Sequence, residues 1–412
     1  MNDAPYEFLT PETIPGYLKS VPAVGSRIDA DNIVSVDEVG DGNLNLVFII
    51  KDTDGKGVVL KQALPYVRLV GPEWPMTPDR ARHEAEALEL HGEIAPGLSV
   101  ELIDYNPDRY IITMADLSDH RVWRGALNEG LRYDGAAAEM GRFVASIGFG
   151  TSTLGMDRHR VADIMASSVN PDICTITEDL VFTEPYVDVG NNSVIAGNER
   201  DAEELAQDSV MVTEMAQAKW IFMTHAEGLI HGDLHTGSVM VKTGENNASG
   251  DAISVKAFDS EFAFYGPIAF DLGALYANYL IAAARAVALD DEQQAQWALQ
   301  LPSQTWNAFE SEIRRQWPNR VDRRVYRDEM LEHLLDTWRS EAWLFGSAKM
   351  ARRIVGLAKT TDIETLDESR REGAARGVLQ AAQLMVRERH VDADASRLPG
   401  LVGDLIRRVK TS

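Results

Sequence analysis

The sequence predicts an α+β protein in two parts, a β-rich first region followed by a larger, mainly helical one. Up to about residue 115, short apolar runs alternate with clusters of turn residues, the punctuation of a β-meander. Beyond that point apolar residues recur at helical spacing over long stretches. A length of 412 residues leaves room for more than one core. The expected division is 1–115 and 116–412.

Taken in order, Ile33 to Val36, Leu46 to Ile50 and Val58 to Lys61 read as strands. They are separated by Gly40-Asp41-Gly42-Asn43 and by the turn Asp52-Thr53-Asp54-Gly55. Thr77 followed by Pro78 has the spelling of an N-cap and first helical residue, opening a helix through Ala81, Ala85 and Leu88. Tyr110 to Met114 is one more strand, leading into Ala115-Asp116-Leu117. In the second part, 202–226 and 323–359 carry helical periodicity, and Leu229 to His231, Val239 to Val241 and Ser254 to Phe258 read as short β segments around a turn. Gly190 to Asn198 and Thr243 to Asp251 have loop composition.

Composition excludes several classes. With 45% hydrophobic and 25% charged residues the chain is ordinary globular material. Forty Lys and Arg against 64 Asp and Glu give a net charge of -24, which argues against a general nucleic-acid surface. Cys174 is the only cysteine, so an intrachain disulfide and a zinc site built on several thiolates are excluded, and a reducing, cytoplasmic setting is expected. Met1-Asn2-Asp3-Ala4-Pro5 lacks the basic and apolar regions of a signal peptide, and the apolar stretch Leu272 to Ala284 is too short for a membrane span.

The chemistry concentrates in His231-Gly232-Asp233-Leu234-His235-Thr236-Gly237-Ser238 and in Phe258-Asp259-Ser260-Glu261. An Asp in a tight loop can hold and deprotonate a hydroxyl, while two carboxylates after the next strand can bind Mg²⁺ carrying ATP phosphates. This order resembles the catalytic loop and metal motif of the protein-kinase-like superfamily. The fuller spelling, with Phe262-Ala263-Phe264-Tyr265-Gly266-Pro267 after the acids, is similar to that of the methylthioribose kinases. It departs from protein kinases at Gly232, at Ser238 and in having Asp-x-Glu as the metal motif. The resemblance implies a two-lobe kinase-like fold, with a small N-lobe over 1–115, a C-lobe over 116–412 and ATP between them. Asp233 is then the base, Asp259 and Glu261 hold Mg²⁺, and Ser238 shapes the loop.

Other positions follow from the same comparison. Gly40-Asp41-Gly42-Asn43-Leu44-Asn45 lies between two predicted strands, where its backbone can close over phosphates and Asn43 or Asn45 can donate to a phosphate oxygen. Lys61 ends an apolar strand, and an ammonium facing the core requires an anionic partner. In the kinase arrangement the nucleotide phosphates supply one and Glu84 orients it. Glu86, roughly 200° away around the helix, is the competitor. Met114 to Ser118, including Asp116, occupies the segment whose backbone pairs with adenine, and here Ala115 stands where the family usually has Glu. Arg352 and Arg353, before Val355-Gly356, match an arginine pair implicated in holding the sugar and offsetting phosphoryl charge. Trp74, in a Trp-Pro loop, is expected to border the substrate. Asp271 is expected to accept backbone hydrogen bonds from the catalytic loop. His225 and His235 lack a metal-ligand pattern and are expected to pack or to hydrogen-bond within loops.

The activity implied is ATP-dependent phosphorylation of the C1 hydroxyl of 5-methylthioribose in methionine salvage, by a cytoplasmic homodimer that needs neither nucleic acid nor membrane. Two enzymatic alternatives change the acceptor, to another 5-modified ribose such as 5-deoxyribose or to an aminoglycoside. A non-enzymatic one is an ATP-binding pseudokinase acting as an interaction module. The intact set of Lys61, Asp233, Asp259 and Glu261 argues against the module.

Overall fold

The computed structural model describes residues 6–40, 44–68, 71–244 and 246–410. The chain forms two compact units, one containing 1–119 with 258–262 and the other 120–257 with 263–412.

The first unit begins with a short helix α1 (Ile14–Lys19) and is organised by strands β1 (Ile33–Glu38), β2 (Asn45–Asp52) and β3 (Gly57–Ala63). Helix α2 (Arg80–Ile94) follows, then β4 (Leu102–Asn106) and β5 (Ile111–Ala115). The sheet order is β1-β2-β3-β5-β4, with every neighbouring pair antiparallel. Alternation along the strands gives the sheet two dry faces. Phe48, Ile50, Val58, Leu60 and Ile111 pack with Ile14, Tyr17 and Leu18 on one. Ala63, Ile112 and Met114 pack with Ala81, Ala85 and Leu88 of α2 on the other. Lys61 is one residue out of phase with Leu60, so the pleat directs it to the α2 face.

Three local expectations shift. The helix predicted from Thr77 and Pro78 begins at Arg80, because its first turn is of the tighter i+3 kind, with Ala81 N donating to Pro78 O (3.0 Å) and Arg82 N to Asp79 O (2.9 Å). The strand predicted from Tyr110 starts at Ile111, since Tyr110 has a left-handed φ of 51° in the turn before it. Strand β4 escapes sequence reading because Asp104 and Asn106 break up its apolar residues, so it lacks the run that marks the other strands.

The second unit runs through β6 (Arg121–Val122), α3 (Trp123–Asn128), α4 (Ala136–Thr151) and α5 (Ser209–Thr224). Short strands β7 (Gly228–Ile230), β8 (Val239–Lys242), β9 (Ser254–Ala257) and β10 (Phe264–Gly266) frame the 231–238 loop. Strand β7 pairs with β10, and β8 pairs with β9 and β6. Long helices complete the unit: α6 (Ala269–Ala288), α7 (Glu292–Gln316), α8 (Asp328–Val355) and α9 (Glu368–Glu388).

The periodicity over 202–226 is split between two helices, Glu199–Gln207 and α5. Asp208 divides them: its carboxylate accepts from Val210 N (3.1 Å) and Met211 N (3.2 Å), which caps a new helix and ends the old one. The apolar stretch at 272–284 lies in α6, which is buried at every residue except Arg285 and packs against α7, α8 and α9. Among the described residues, no helix is long and apolar enough to cross a membrane. Helices α6 and α8 cross at two glycines, where a Cβ built on Gly273 would lie 2.6 Å from Gly346 N.

Candidate active site

In the first unit the functional side chains converge on Lys61. Its ammonium, on a residue 5% exposed, lies 2.7 Å from Glu84 Oε2 and 3.8 Å from Glu261 Oε2, and it also pairs with Asp259. Burial alone would push the Lys61 pKa down; Asp259, Glu261 and Glu84 outweigh it and hold the pKa above its ordinary value. Glu84 is raised as well, by burial against the pull of Lys61. Glu86 bonds Arg82 on the exposed side of α2.

Glu84, Asp259 and Glu261 each bring a carboxylate oxygen within 4.8 Å of the others, a set of hard donors of the type that suits Mg²⁺. Burial, and next the neighbouring Asp259, raise Glu261 against the pull of Lys61 and Arg80. Asp259 sits at φ 68°, in the left-handed region that Asp tolerates better than most side chains.

The other predicted residues of this unit occupy varied positions. Asp41, Gly42 and Asn43 lie outside the described residues, and Gly40 is exposed. Asn45 is turned inward: its amide nitrogen donates to Glu261 Oε2 (2.7 Å), and its oxygen accepts from the Arg80 guanidinium (3.0 Å). This buried pairing orients Glu261. Met114 places its side chain in the α2-facing core, and the adjacent Ala115 N–H donates to Glu101 O (3.0 Å). The Asp116 carboxylate pairs with Lys51 and accepts from Ser118 N (2.8 Å), closing a turn. Trp74 is exposed, in a loop where its N–H donates to Gly71 O and its carbonyl accepts from Val67 N.

In the second unit the 231–238 loop is built around Asp233. Gly232, at φ 83°, makes a turn that other residues adopt only with strain, and Asp271, near the start of α6, pins that turn. Its oxygens accept from His231 N (2.8 Å) and Gly232 N (3.0 Å). Ser238 Oγ donates to Asp233 O (2.8 Å) and accepts from His235 N (2.9 Å), holding the far side of the loop.

Each oxygen of Asp233 has a partner. Lys349 Nζ, from the C-terminal part of α8, lies 2.7 Å from Oδ1, and His235 Nε2 lies 3.3 Å from Oδ2. The tautomer follows from the other ring nitrogen: Gly237 N donates to His235 Nδ1 (3.0 Å), so the ring proton sits on Nε2 facing Asp233. Burial works to raise the Asp233 pKa, but Lys349, His235 and Arg353 hold it well below the usual carboxylate range. Burial, with Arg124 adding to it, lowers His235 to about 4, so the ring is neutral at physiological pH. Lys349 was missed in the sequence because it lies inside an apolar helical stripe. It is 4% exposed, with its ammonium 4.6 Å from the centre of the Phe270 ring.

Arg352 and Arg353 follow on the last turn of α8. Among the described residues Arg352 has a buried Nε with no hydrogen-bond partner, and Arg353, 8% exposed, donates to Lys359 O at 3.4 Å. Arg124, a second residue the sequence did not reveal, bonds Asn278 (2.8 Å) and lies 3.4 Å from Asp362. Burial lowers the pKa of Arg353, and Arg352 and Arg124 lower it further. Guanidinium groups keep their proton regardless, so the group is a concentrated positive charge. Such a set can receive an anion beside a carboxylate.

Residues 35–310 match the model of the phosphotransferase enzyme family, which gives the class. Within that class the chain belongs to the methylthioribose kinase family. It is 36% identical over 367 residues to the methylthioribose kinase of Cronobacter sakazakii, covering 86% of this chain and 88% of that one. It is 35% identical over 405 residues to the methylthioribose kinase of Yersinia pseudotuberculosis, covering 94% and 93%. A solved structure of a choline/ethanolamine kinase family protein from Mesorhizobium loti aligns with a TM-score of 0.44 and 12% identity, over 96% of this chain and 99% of that one. The protein is an enzyme, a kinase.

Proposed function

We propose that the protein transfers the γ-phosphoryl group of ATP to the C1 hydroxyl of 5-methylthioribose, giving 5-methylthioribose 1-phosphate and ADP. The observation that carries this reading is Asp233, an ionised carboxylate fixed by Lys349 and His235 beside the guanidinium groups of Arg352 and Arg353, in a chain whose relatives are named for this activity. Each carboxylate oxygen has a further lone pair, so Asp233 can still accept the acceptor hydroxyl.

With so low a pKa Asp233 is a weak base before the reaction. It orients the hydroxyl and takes its proton as the oxygen–phosphorus bond forms and the bond to the ADP oxygen breaks. Arg352 and Arg353 offset the charge on the moving phosphoryl oxygens, Arg124 adds to that field, and Lys349 keeps Asp233 in place. In the first unit, Lys61 with Glu84 would hold nucleotide phosphates, and Asp259 and Glu261 would hold Mg²⁺, with Asn45 orienting Glu261. Mg²⁺ would neutralise phosphate charge there. Gly40 to Asn43 would cover the phosphates, the backbone around Met114 and Asp116 would receive adenine, and Trp74 would supply an apolar wall. On this reading 1–115 carries the phosphate lid with Lys61 and Glu84, and 116–412 carries the catalytic loop, the Mg²⁺ ligands and the sugar-binding arginines. Residence in a reducing cytoplasm, a homodimeric state and a place in methionine salvage belong to the same reading.

An aminoglycoside acceptor is disfavoured on charge. A polycation placed against Asp233 would meet Lys349, Arg352 and Arg353, and like charges brought together in a buried site repel strongly.

The test is product identification. The full chain is incubated with Mg²⁺, ATP and either methylthioribose, 5-deoxyribose or an aminoglycoside, and products are read by ³¹P and ¹H NMR. The expected result is a 1-phosphate from methylthioribose, with Asp233→Asn binding ATP normally and turning over about 10² to 10⁴ times more slowly. No phosphorylated methylthioribose from the wild type would overturn the proposal.

A further inference from the structure

Away from the residues assigned to phosphoryl transfer, His225, Glu227 and Glu341 each bring a ligand atom within 4.8 Å of the other two. They come from separate elements. His225 caps the C-terminus of α5, Glu227 immediately precedes β7, and Glu341 lies midway along α8. His225 Nδ1 is 3.8 Å from Glu341 Oε1.

The two carboxylates are held in different ways. Glu227 Oε2 accepts from Ile268 N (2.8 Å) and Trp338 Nε1 (3.1 Å), which fixes the group and leaves its other oxygen for a ligand. The Glu341 side chain is 7% exposed, and its Oε2 is buried with no hydrogen-bond partner among the described residues. An ionised oxygen in that position is costly unless something positive meets it. Arg389, the nearest cationic influence, is itself bound to Glu214 (2.6 Å), and Glu227 contributes a like charge.

We propose that His225, Glu227 and Glu341 bind one divalent transition-metal ion, Zn²⁺ by preference, as a clip between the strand that enters the 231–238 loop and the helix that carries Lys349, Arg352 and Arg353. One imidazole with two carboxylates is a donor set for zinc rather than for Mg²⁺, which favours oxygen alone. Zinc bonds of about 2.0–2.2 Å put tetrahedral ligand atoms roughly 3.4 Å apart, so the observed spacing closes with a small side-chain rotation. His225, 41% exposed, gives the ion a route in and leaves room for water as a fourth ligand. Glu341 and Lys349 are separated by about 12 Å along α8, so the clip anchors the same helix two turns from the phosphoryl-transfer residues.

The proposal goes beyond the kinase reading and is tested without an activity assay. The full chain is freed of metal with a chelator, supplied with excess Mg²⁺, and titrated with Zn²⁺ by calorimetry and with Co²⁺ by visible absorption. Wild-type protein is expected to bind one equivalent and to gain Tm with Zn²⁺. His225→Ala, an exposed change that leaves the core intact, and Glu341→Gln are expected to bind at least about tenfold more weakly, since loss of even an outer-shell partner costs that much. Asp259→Asn, which alters the other carboxylate cluster, is expected to bind as the wild type. Absence of binding in the wild type, or equal binding in His225→Ala and the wild type, would overturn the proposal.

Discussion

Lys349 Nζ lies 2.7 Å from Asp233 Oδ1, a part-buried pairing that joins the C-terminal part of α8 to a loop 116 residues earlier in the chain. Lys349→Met removes the counter-charge and leaves the carboxylate facing an apolar neighbour. The expected loss is about 1.5–3 kcal/mol of stability, the range for a hydrogen bond to a charged group, read by urea unfolding. Because Lys349 acts through Asp233, kcat should fall while KM for ATP holds, the acid limb of the pH–rate profile should move upward, and Lys349→Arg should restore part of the rate. An unshifted acid limb would reduce Lys349 to a packing residue.

The loop also predicts how stability responds to acid. His235 is lowered to about 4 in the folded protein from an ordinary value near 6.5, so the unfolded chain binds the proton first as pH falls. Stability should therefore drop between about pH 6.5 and 4, by up to about 3 kcal/mol from this group. Asp233, with a depressed folded pKa, adds a further loss below about pH 4, as pH falls toward its folded value. His235→Asn should flatten the upper part of the Tm-versus-pH curve, and an unchanged slope there would contradict the neutral, Nε2-protonated ring.

Glu84 and Glu86 provide an internal comparison on one helix. Glu84→Gln leaves the buried Lys61 with less counter-charge and is expected to lower kcat/KM for ATP at least about tenfold, a loss of roughly 1.4 kcal/mol. Glu86→Gln, which loses only an exposed pair with Arg82, should change stability by less than about 1 kcal/mol and leave kinetics intact. Steady-state kinetics on both variants checks the contrast, and equal effects would remove Glu84 from the site.

Asp271→Ala should be the most damaging change outside the reacting groups. It orphans His231 N and Gly232 N, two buried donors, at about 1–3 kcal/mol each. Thermal unfolding should register the loss, and turnover should fall because Asp233 is carried by the freed turn. Full activity at wild-type Tm would show that the loop holds itself.

Much of this architecture was legible in the sequence because it rests on short-range patterns. Apolar runs set between turn residues marked β1, β2, β3 and β5, and the acids of the 231–238 and 258–261 segments are contiguous words. What stayed hidden depends on distant partners. Lys349 belongs to an apolar helical stripe, and only its arrival beside Asp233 and Phe270 gives it meaning. Arg124 stands alone in sequence and joins its neighbours through the fold. Asn45 read as a loop donor because nothing nearby announced Arg80 or Glu261 as its partners. Asp208 broke a periodic stretch because a side chain competing for backbone donors overrides periodicity.

The crossing of α6 and α8 at Gly273 and Gly346 has a further effect on chemistry. Asp271, which sets the loop, stands two residues before one glycine, and Lys349, which sets the carboxylate, stands three residues after the other. The height of the loop and the reach of the ammonium are thus gauged from one common point, where two backbones touch. A single methyl group inserted there would wedge the two helices apart and pull the lysine out of register with its aspartate, disabling the enzyme from a position that meets no reactant.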